Sequence, residues 1–447
     1  MAKIKQFRDP DLSLWQSAVD QVVAKKTAAT RSLDIGSTGT VTRPDTGHSM
    51  VRAAALDLTA EHERNPLPAT LPSTPVATEG LGDTAKFCST VARKLAWAKI
   101  TGNTTQEALL KEQFEKYGQC DPGWMEAAAE YAKFKLEKGK VPYRVYTNID
   151  QFVIDGKLAD KARVAIVGDW GTGDDIAKQV LVQIARKKPD VIIHLGDIYY
   201  SCTDFEAQNY FLQIWNNYFD ITKQTSFTLA GNHDMFAGGQ PYYNLIDKLG
   251  QPASYFSLRN KNWQFVALDT GLHDNIPEGS APTYLEDTEV AWFKRRLDTA
   301  GGRQTVLLSH HQLFSAFEDI TPGKGVNDKL NGQIGPLLPQ VAIWLCGHEH
   351  DCVIYKKQMG VLMRCIGHGA FPVSIPTAGE PPRAPKHPEI LVENVNLGNN
   401  GGFYNHGYAI MDLDGPTSTI SYYQDSDENN PQWVDHVGVA AVVGNQP

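Results

Sequence analysis

Residues 164–169 read VAIVGD, and residues 191–197 read VIIHLGD. Each is a short apolar run, rich in β-branched residues, that closes on Gly-Asp. Runs of this length and composition read as buried strands. The pattern returns downstream as SFTLAGNHD at 226–234, TVLLSHH at 305–311 and WLCGHEH at 344–350. Residues 174–188, between the first two runs, read as a helix, and further strand-like runs lie near 353–366 and 407–423. Near-continuous apolar strands interleaved with helices predict an α/β sheet packed with helices.

The five runs end in metal-ligand residue types: Asp169; Asp197; Asn232 and His233; His310 and His311; His348 and His350. Gly precedes the first donor in four of the five. In open α/β sheets, ligands collect in the crevice at the carboxyl ends of the strands. One carboxylate after a strand carries little information, whereas five ordered strand ends converging on Asp, Asn and His define a metal centre. In GHEH, His348 and His350 are two residues apart, and on extended backbone they face one side. Gly347 lets that turn approach closely. Asp197 follows a buried strand, where a carboxylate is costly unless it is paired or binds a cation. Its two oxygens can bridge two ions, and two ions about 4 Å apart clamp the attacking and leaving oxygens of an in-line displacement. A Gly-rich phosphate loop around Asp169 does not fit, because Gly168, Gly171 and Gly173 have the wrong spacing and an Asp repels phosphate without a cation.

The ordered set GDWG, GDIYY, GNHD, HHQLF and GHEH resembles the calcineurin-like metallophosphoesterase superfamily over roughly residues 160–425, and within it the purple acid phosphatases. The resemblance implies the metallophosphoesterase fold, an α/β two-sheet β-sandwich flanked by helices. Most of that superfamily has Asp-x-His at the first motif. Here Trp170 and Gly171 follow Asp169, and Tyr200 stands three residues after Asp197, as in the purple branch. By resemblance, Asp169, Asp197, Tyr200 and His350 bind a first metal, and Asp197, Asn232, His310 and His348 a second. A tyrosinate is a hard anionic donor, which implies Fe(III) at the first position, with divalent Fe, Zn or Mn at the second. His233 would contact the phosphate and protonate the leaving oxygen, with Asp234 orienting it. Tyr199, one residue before Tyr200, would point away if the backbone there is extended. His311 and His368 depart from the family pattern and are candidate substrate contacts.

The expected activity is hydrolysis of phosphate monoesters, in which a metal-bound hydroxide attacks phosphorus in line. A phosphodiesterase on the same fold, acting on cyclic nucleotides or phospholipid head groups, is the alternative. A catalytically silent metal-binding scaffold is the reading from another class, and the intact donor set speaks against it.

The rest of the 447 residues bounds these readings. Hydrophobic residues are 42% and charged residues 21%, ordinary globular usage, and the net charge is −9. That charge argues against a duplex nucleic-acid partner, which needs a basic surface, but not against a small phosphorylated substrate. No apolar run is long enough to span a membrane and no signal peptide is readable, so a cytoplasmic protein is expected. The six cysteines form no Cys-x-x-Cys pair and read as reduced thiols. Residues 1–158 are read as an extension and 159–447 as the catalytic domain. Within the extension, 11–30 has helical spacing, 31–83 reads as an extended arm, and 84–100, 104–118 and 123–138 read as helices that dock through apolar stripes.

Overall fold

The computed structural model describes residues 139–274, 282–373, 385–394, 397–400 and 403–438. The expected N-terminal helices and the arm at 31–83 lie outside the described residues, as do Cys88 and Cys120.

Among the described residues the strands are β1 (Val153–Asp155), β2 (Lys161–Val167), β3 (Val191–His194), β4 (Thr225–Thr228), β5 (Phe256–Arg259), β6 (Trp263–Ala267), β7 (Gln304–Leu308), β8 (Ile343–Cys346), β9 (Cys352–Tyr355), β10 (Met363–Ile366), β11 (Val392–Asn394), β12 (Asn399–Asn400), β13 (Phe403–Tyr404), β14 (Gly407–Asp414), β15 (Thr417–Gln424) and β16 (Trp433–Gly438). One sheet has six strands in the order β16-β15-β14-β2-β3-β4, the other eight in the order β1-β5-β6-β7-β8-β10-β9-β11. Both are mixed. β2, β3 and β4 run parallel, as do β6, β7 and β8.

Alternation along the strands builds the layers. Val164 and Ile166 of β2 face the core between the sheets, where they meet Phe265, Val306 and Leu345 of the other sheet. Ala165 and Val167 face outward onto α1 (Asp175–Arg186), which buries Ile176, Ala177, Val180, Leu181 and Ile184. The short helices α2 (Asn232–Phe236) and α3 (Gln240–Lys248) supply Met235, Tyr242 and Ile246 to the same side. The outer face of the eight-stranded sheet is covered by α4 (Asp287–Asp298) and α5 (Asp328–Ile334), through Trp292, Phe293, Leu330 and Ile334. The result is the expected two-sheet sandwich flanked by helices.

Two details differ from the sequence reading. Residues 139–158, which that reading divides off with the extension, are built into this body. β1 pairs in parallel with β5, and Tyr143, Tyr146, Ile149 and Phe152 pack on the outer core. The apolar stretches near 353–366 and 407–423 each fold as two antiparallel strands rather than one.

The sheets are also tied by a buried ion pair. The guanidinium of Arg364 on β10 donates to both carboxylate oxygens of Asp435 on β16, at 2.7 and 2.9 Å. Tyr422 and Trp433 also donate to Asp435. Removing one partner strands the other charge in the core. Asp435→Leu should therefore cost about 3–5 kcal/mol of unfolding free energy. A denaturant midpoint equal to wild type would show that the sheets do not depend on this link.

Among the described residues, Cys202, Cys346, Cys352 and Cys365 are buried and unbridged. Among the described residues, no helix is long and apolar enough to cross a membrane.

Candidate metal centre

The donors leave the carboxyl ends of the parallel strands. Asp169 lies two residues past β2, Asp197 three past β3 and Asn232 four past β4. His310 and His348 lie two past β7 and β8. The chain turns sharply there, and Asp169, Asp197 and His348 have left-handed backbone, with φ of 55°, 73° and 69°. Such conformations cost a non-glycine residue about 1–3 kcal/mol and persist only where the surroundings enforce them. The preceding glycines serve close approach. A Cβ on Gly347 would lie 2.6 Å from Asp169 Oδ2, and one on Gly231 would collide with the Asp197 carboxylate.

Two clusters of donor atoms result. In the first, the Tyr199 hydroxyl lies 3.1 Å from Asp169 Oδ1, 3.3 Å from Asp197 Oδ2 and 3.0 Å from His350 Nε2. In the second, His310 Nε2 lies 3.3 Å from the same Asp197 Oδ2, 3.1 Å from Asn232 Oδ1 and 3.3 Å from His348 Nδ1. Asp197 Oδ2 belongs to both. Donors bound to one ion by bonds of about 2.1 Å sit about 3 Å apart, so these spacings fit a metal's coordination sphere. Orientation agrees. His310 donates from Nδ1 to the Leu195 carbonyl, which leaves Nε2 as the lone-pair atom facing the cluster.

The electrostatics fit a cation too. Burial pulls the His310 pKa down, but Asp197 and Asp169 outweigh it and hold it up at about 10. Burial, with His311 and His310 beside it, pushes His348 well below the usual imidazole range.

The structure departs from three expectations. The hydroxyl in the first cluster is that of Tyr199, not Tyr200. Alternation of side chains requires extended backbone, but after the left-handed Asp197 residues 199–201 form a turn. Tyr200 contributes its carbonyl, which accepts from His233 Nδ1 at 2.6 Å. That carbonyl orients His233. The Asp234 carboxylate instead accepts the backbone N–H groups of Asp197, Ile198 and Gly231, locking two ligand loops together. His368 is not brought into either cluster. Gly367 faces Asp169, so the next side chain points the other way, and the His368 ring packs against Gly407. Burial and His406 push its pKa down to about 4. His311 does reach the centre, its ring 4.3 Å from that of His348. Thr270 and Asp274 engage its two nitrogens at 3.1 and 3.0 Å, so it reads as a wall of the site rather than a donor to an ion.

Other residues of the site carry no motif in the sequence. Glu206 holds the turn after Tyr199 by accepting from the N–H groups of Tyr200, Ser201 and Thr203. Phe371 stacks on His350 at 4.0 Å and leans on Tyr199. The His350 side chain is 25% exposed and that of His233 12%, while Asp169 and Asp197 are buried, so the cluster opens to solvent on the His350–His233 side.

This sandwich gathers carboxylates, imidazoles and an amide at its strand ends, a donor set suited to metal ions. Residues 162–352 match the model of the calcineurin-like phosphoesterase family. The chain is 28% identical over 244 residues to tartrate-resistant acid phosphatase type 5 of Sus scrofa, covering 47% of this chain and 70% of that one. It is 28% identical over 223 residues to the 3',5'-cyclic adenosine monophosphate phosphodiesterase CpdA of Pseudomonas aeruginosa, covering 48% and 74%. Among solved structures, the purple acid phosphatase PPD1 of yellow lupin (Lupinus luteus) superposes with a TM-score of 0.44 at 14% identity, over 63% of this chain and 54% of that one.

Proposed function

We propose that this chain is a dinuclear metal-dependent phosphomonoesterase of the purple acid phosphatase type. The observation that carries this reading is the shared Asp197 Oδ2, which lies in both donor clusters at 3.3 Å from Tyr199 and from His310. Asp169, Asp197, Tyr199 and His350 would hold the first ion, Fe(III), and Asp197, Asn232, His310 and His348 the second, divalent Fe, Zn or Mn. Bound cations supply Lewis acidity and a nucleophile drawn from water at neutral pH. His233 keeps its Nδ1–H on the Tyr200 carbonyl, so Nε2 is the atom left to face the leaving oxygen, to which the imidazolium form would donate. Phe371 and His311 wall the centre on either side. The substrate is a small phosphorylated molecule, and the unbridged thiols support a reducing compartment such as the cytoplasm.

Colour tests the first ligand set. Tyrosinate on Fe(III) gives a charge-transfer band in the visible, so protein loaded with iron in air should be violet to pink. Tyr199→Phe should abolish the band, while Tyr200→Phe, which keeps the backbone carbonyl, should retain it. The reverse result would return the ligand to Tyr200. A colourless wild type with full ferric occupancy, measured on the same sample, would remove both tyrosines and leave a divalent pair.

The cyclic-nucleotide phosphodiesterase among the relatives supports a second reading with diester substrates. The ratio of turnover on bis-p-nitrophenyl phosphate to that on p-nitrophenyl phosphate separates the two, with a ratio well below one expected here.

A further inference from the structure

Helix α4 turns one face toward the stretch of chain at 143–151. Glu289, Trp292 and Arg296, spaced three and four residues apart, share that face. The Trp292 indole donates to the Gln151 carbonyl at 2.9 Å, and Arg296 donates to the Ile149 carbonyl at 2.8 Å. Glu289 is fully buried and joins two groups. Its Oε2 lies 2.7 Å from the Tyr143 hydroxyl, and its Oε1 accepts the backbone N–H of Asp269 at 2.7 Å. This bridge needs no charge on Glu289. Oε1 can accept an N–H in either protonation state, and the Tyr143 hydroxyl can donate or accept.

Asp269 opens a loop that lies against two ligand turns. It stands two residues past β6, at the same end of the sheet as His310 and His348. Thr270 Oγ1 accepts the His311 N–H at 3.0 Å, which ties the loop to the turn bearing His310. Gly271 abuts the carbonyls of Ala230 and Gly231, where a Cβ would collide, so the loop also rests on the turn bearing Asn232. Asp269 Oδ1 accepts the Leu272 N–H at 3.0 Å and closes the loop on itself. Asn232 and His310 are both ligands proposed for the second ion, whereas Asp169 and Tyr199 of the first follow β2 and β3.

We propose that Glu289 is a positioning residue for the second metal ion: by joining Tyr143 to the loop at 269–272, it holds that loop against the Asn232 and His310 turns. This rests on the dinuclear centre proposed above. It makes retention of one ion of the pair depend on a side chain that touches no ligand, and on the stretch of chain at 143 behind it. Removing a partner that orients metal ligands weakens metal affinity by about 10–100-fold, and a group that acts through one further loop belongs at the lower end.

The test uses the full chain, loaded with ferric iron and zinc and then challenged with a zinc chelator, with iron content measured on the same sample. Glu289→Leu fills the space without the bridge. It should release zinc about ten-fold faster than wild type and keep its iron. Glu289→Gln should restore wild-type release, because its amide oxygen accepts the Asp269 N–H and its N–H₂ donates to the Tyr143 hydroxyl. Tyr143→Phe removes that hydroxyl and keeps the ring, and several-fold faster zinc release is expected there. A wild-type rate in Glu289→Leu, an equal loss of iron and zinc, or a Glu289→Gln variant as fast as Glu289→Leu would each overturn the proposal. Should Glu289→Leu fail to fold, Tyr143→Phe decides alone, and a wild-type rate there would overturn it. A wild type that takes up a single ion per chain would instead overturn the dinuclear reading beneath it.

Discussion

Asp197→Asn is expected to empty both metal positions. The substitution keeps the shape of the side chain and its place past β3 but removes the negative charge at the one atom common to both clusters. The charge of the two cations, about four to five units, is then opposed by one anionic ligand fewer at its centre. Each cation contributes several kcal/mol to the transition state. Loss of the pair therefore lowers turnover by more than about 10⁴-fold, at roughly 1.4 kcal/mol per factor of ten. Metal analysis and turnover should be measured on one sample. Two ions per chain with near-normal turnover would mean that Asp197 does not bridge.

His233→Asn should leave metal content intact and lower turnover by about 10²–10⁴-fold, the usual contribution of a general acid. The His233 backbone N–H donates to Asp197 Oδ1, and that bond survives the substitution, so the ligand loop keeps its shape. The side-chain effect should depend on the leaving group. Nitrophenolate departs with little help, whereas an alkoxide needs the proton held at Nε2. The defect is therefore expected to be small on p-nitrophenyl phosphate and large on an alkyl phosphate. An equal loss on both substrates would reduce His233 to a phosphate contact.

The parts of this centre that were legible in the sequence are those governed by strand ends. VAIVGD, VIIHLGD and GNHD announce their donors because each apolar run must finish at the crevice, and the glycine beside the donor marks the close approach that the structure confirms. Side-chain direction past the strand end was not legible. Strand alternation does not govern these loops: His348 and His350 both reach the centre although His348 is left-handed, and at Tyr199 alternation fails because left-handed Asp197 begins a turn. His368 points away from the clusters for a related reason, since it is Gly367 that faces Asp169. The partners of Asp234, His311 and Glu289 could not be read at all. Each bond joins residues far apart in the chain or runs to a backbone group, and no local pattern encodes Asp274 against His311 or Tyr143 against Glu289. Helix α4 was not singled out, although it buries Trp292 and Phe293 beneath the eight-stranded sheet.

The order of strands also sets when the protein can acquire its ions. Asp169 emerges early from the ribosome and His350 much later, so no complete coordination sphere exists on a half-made chain. β14, synthesised later still, lies directly beside β2 and fixes the strand that precedes Asp169. If the proposed centre binds its ions, their uptake would follow completion of the fold rather than guide it. A nascent chain arrested before β14 would offer scattered carboxylates and imidazoles to any passing ion, and only the finished sheet would hold the intended pair.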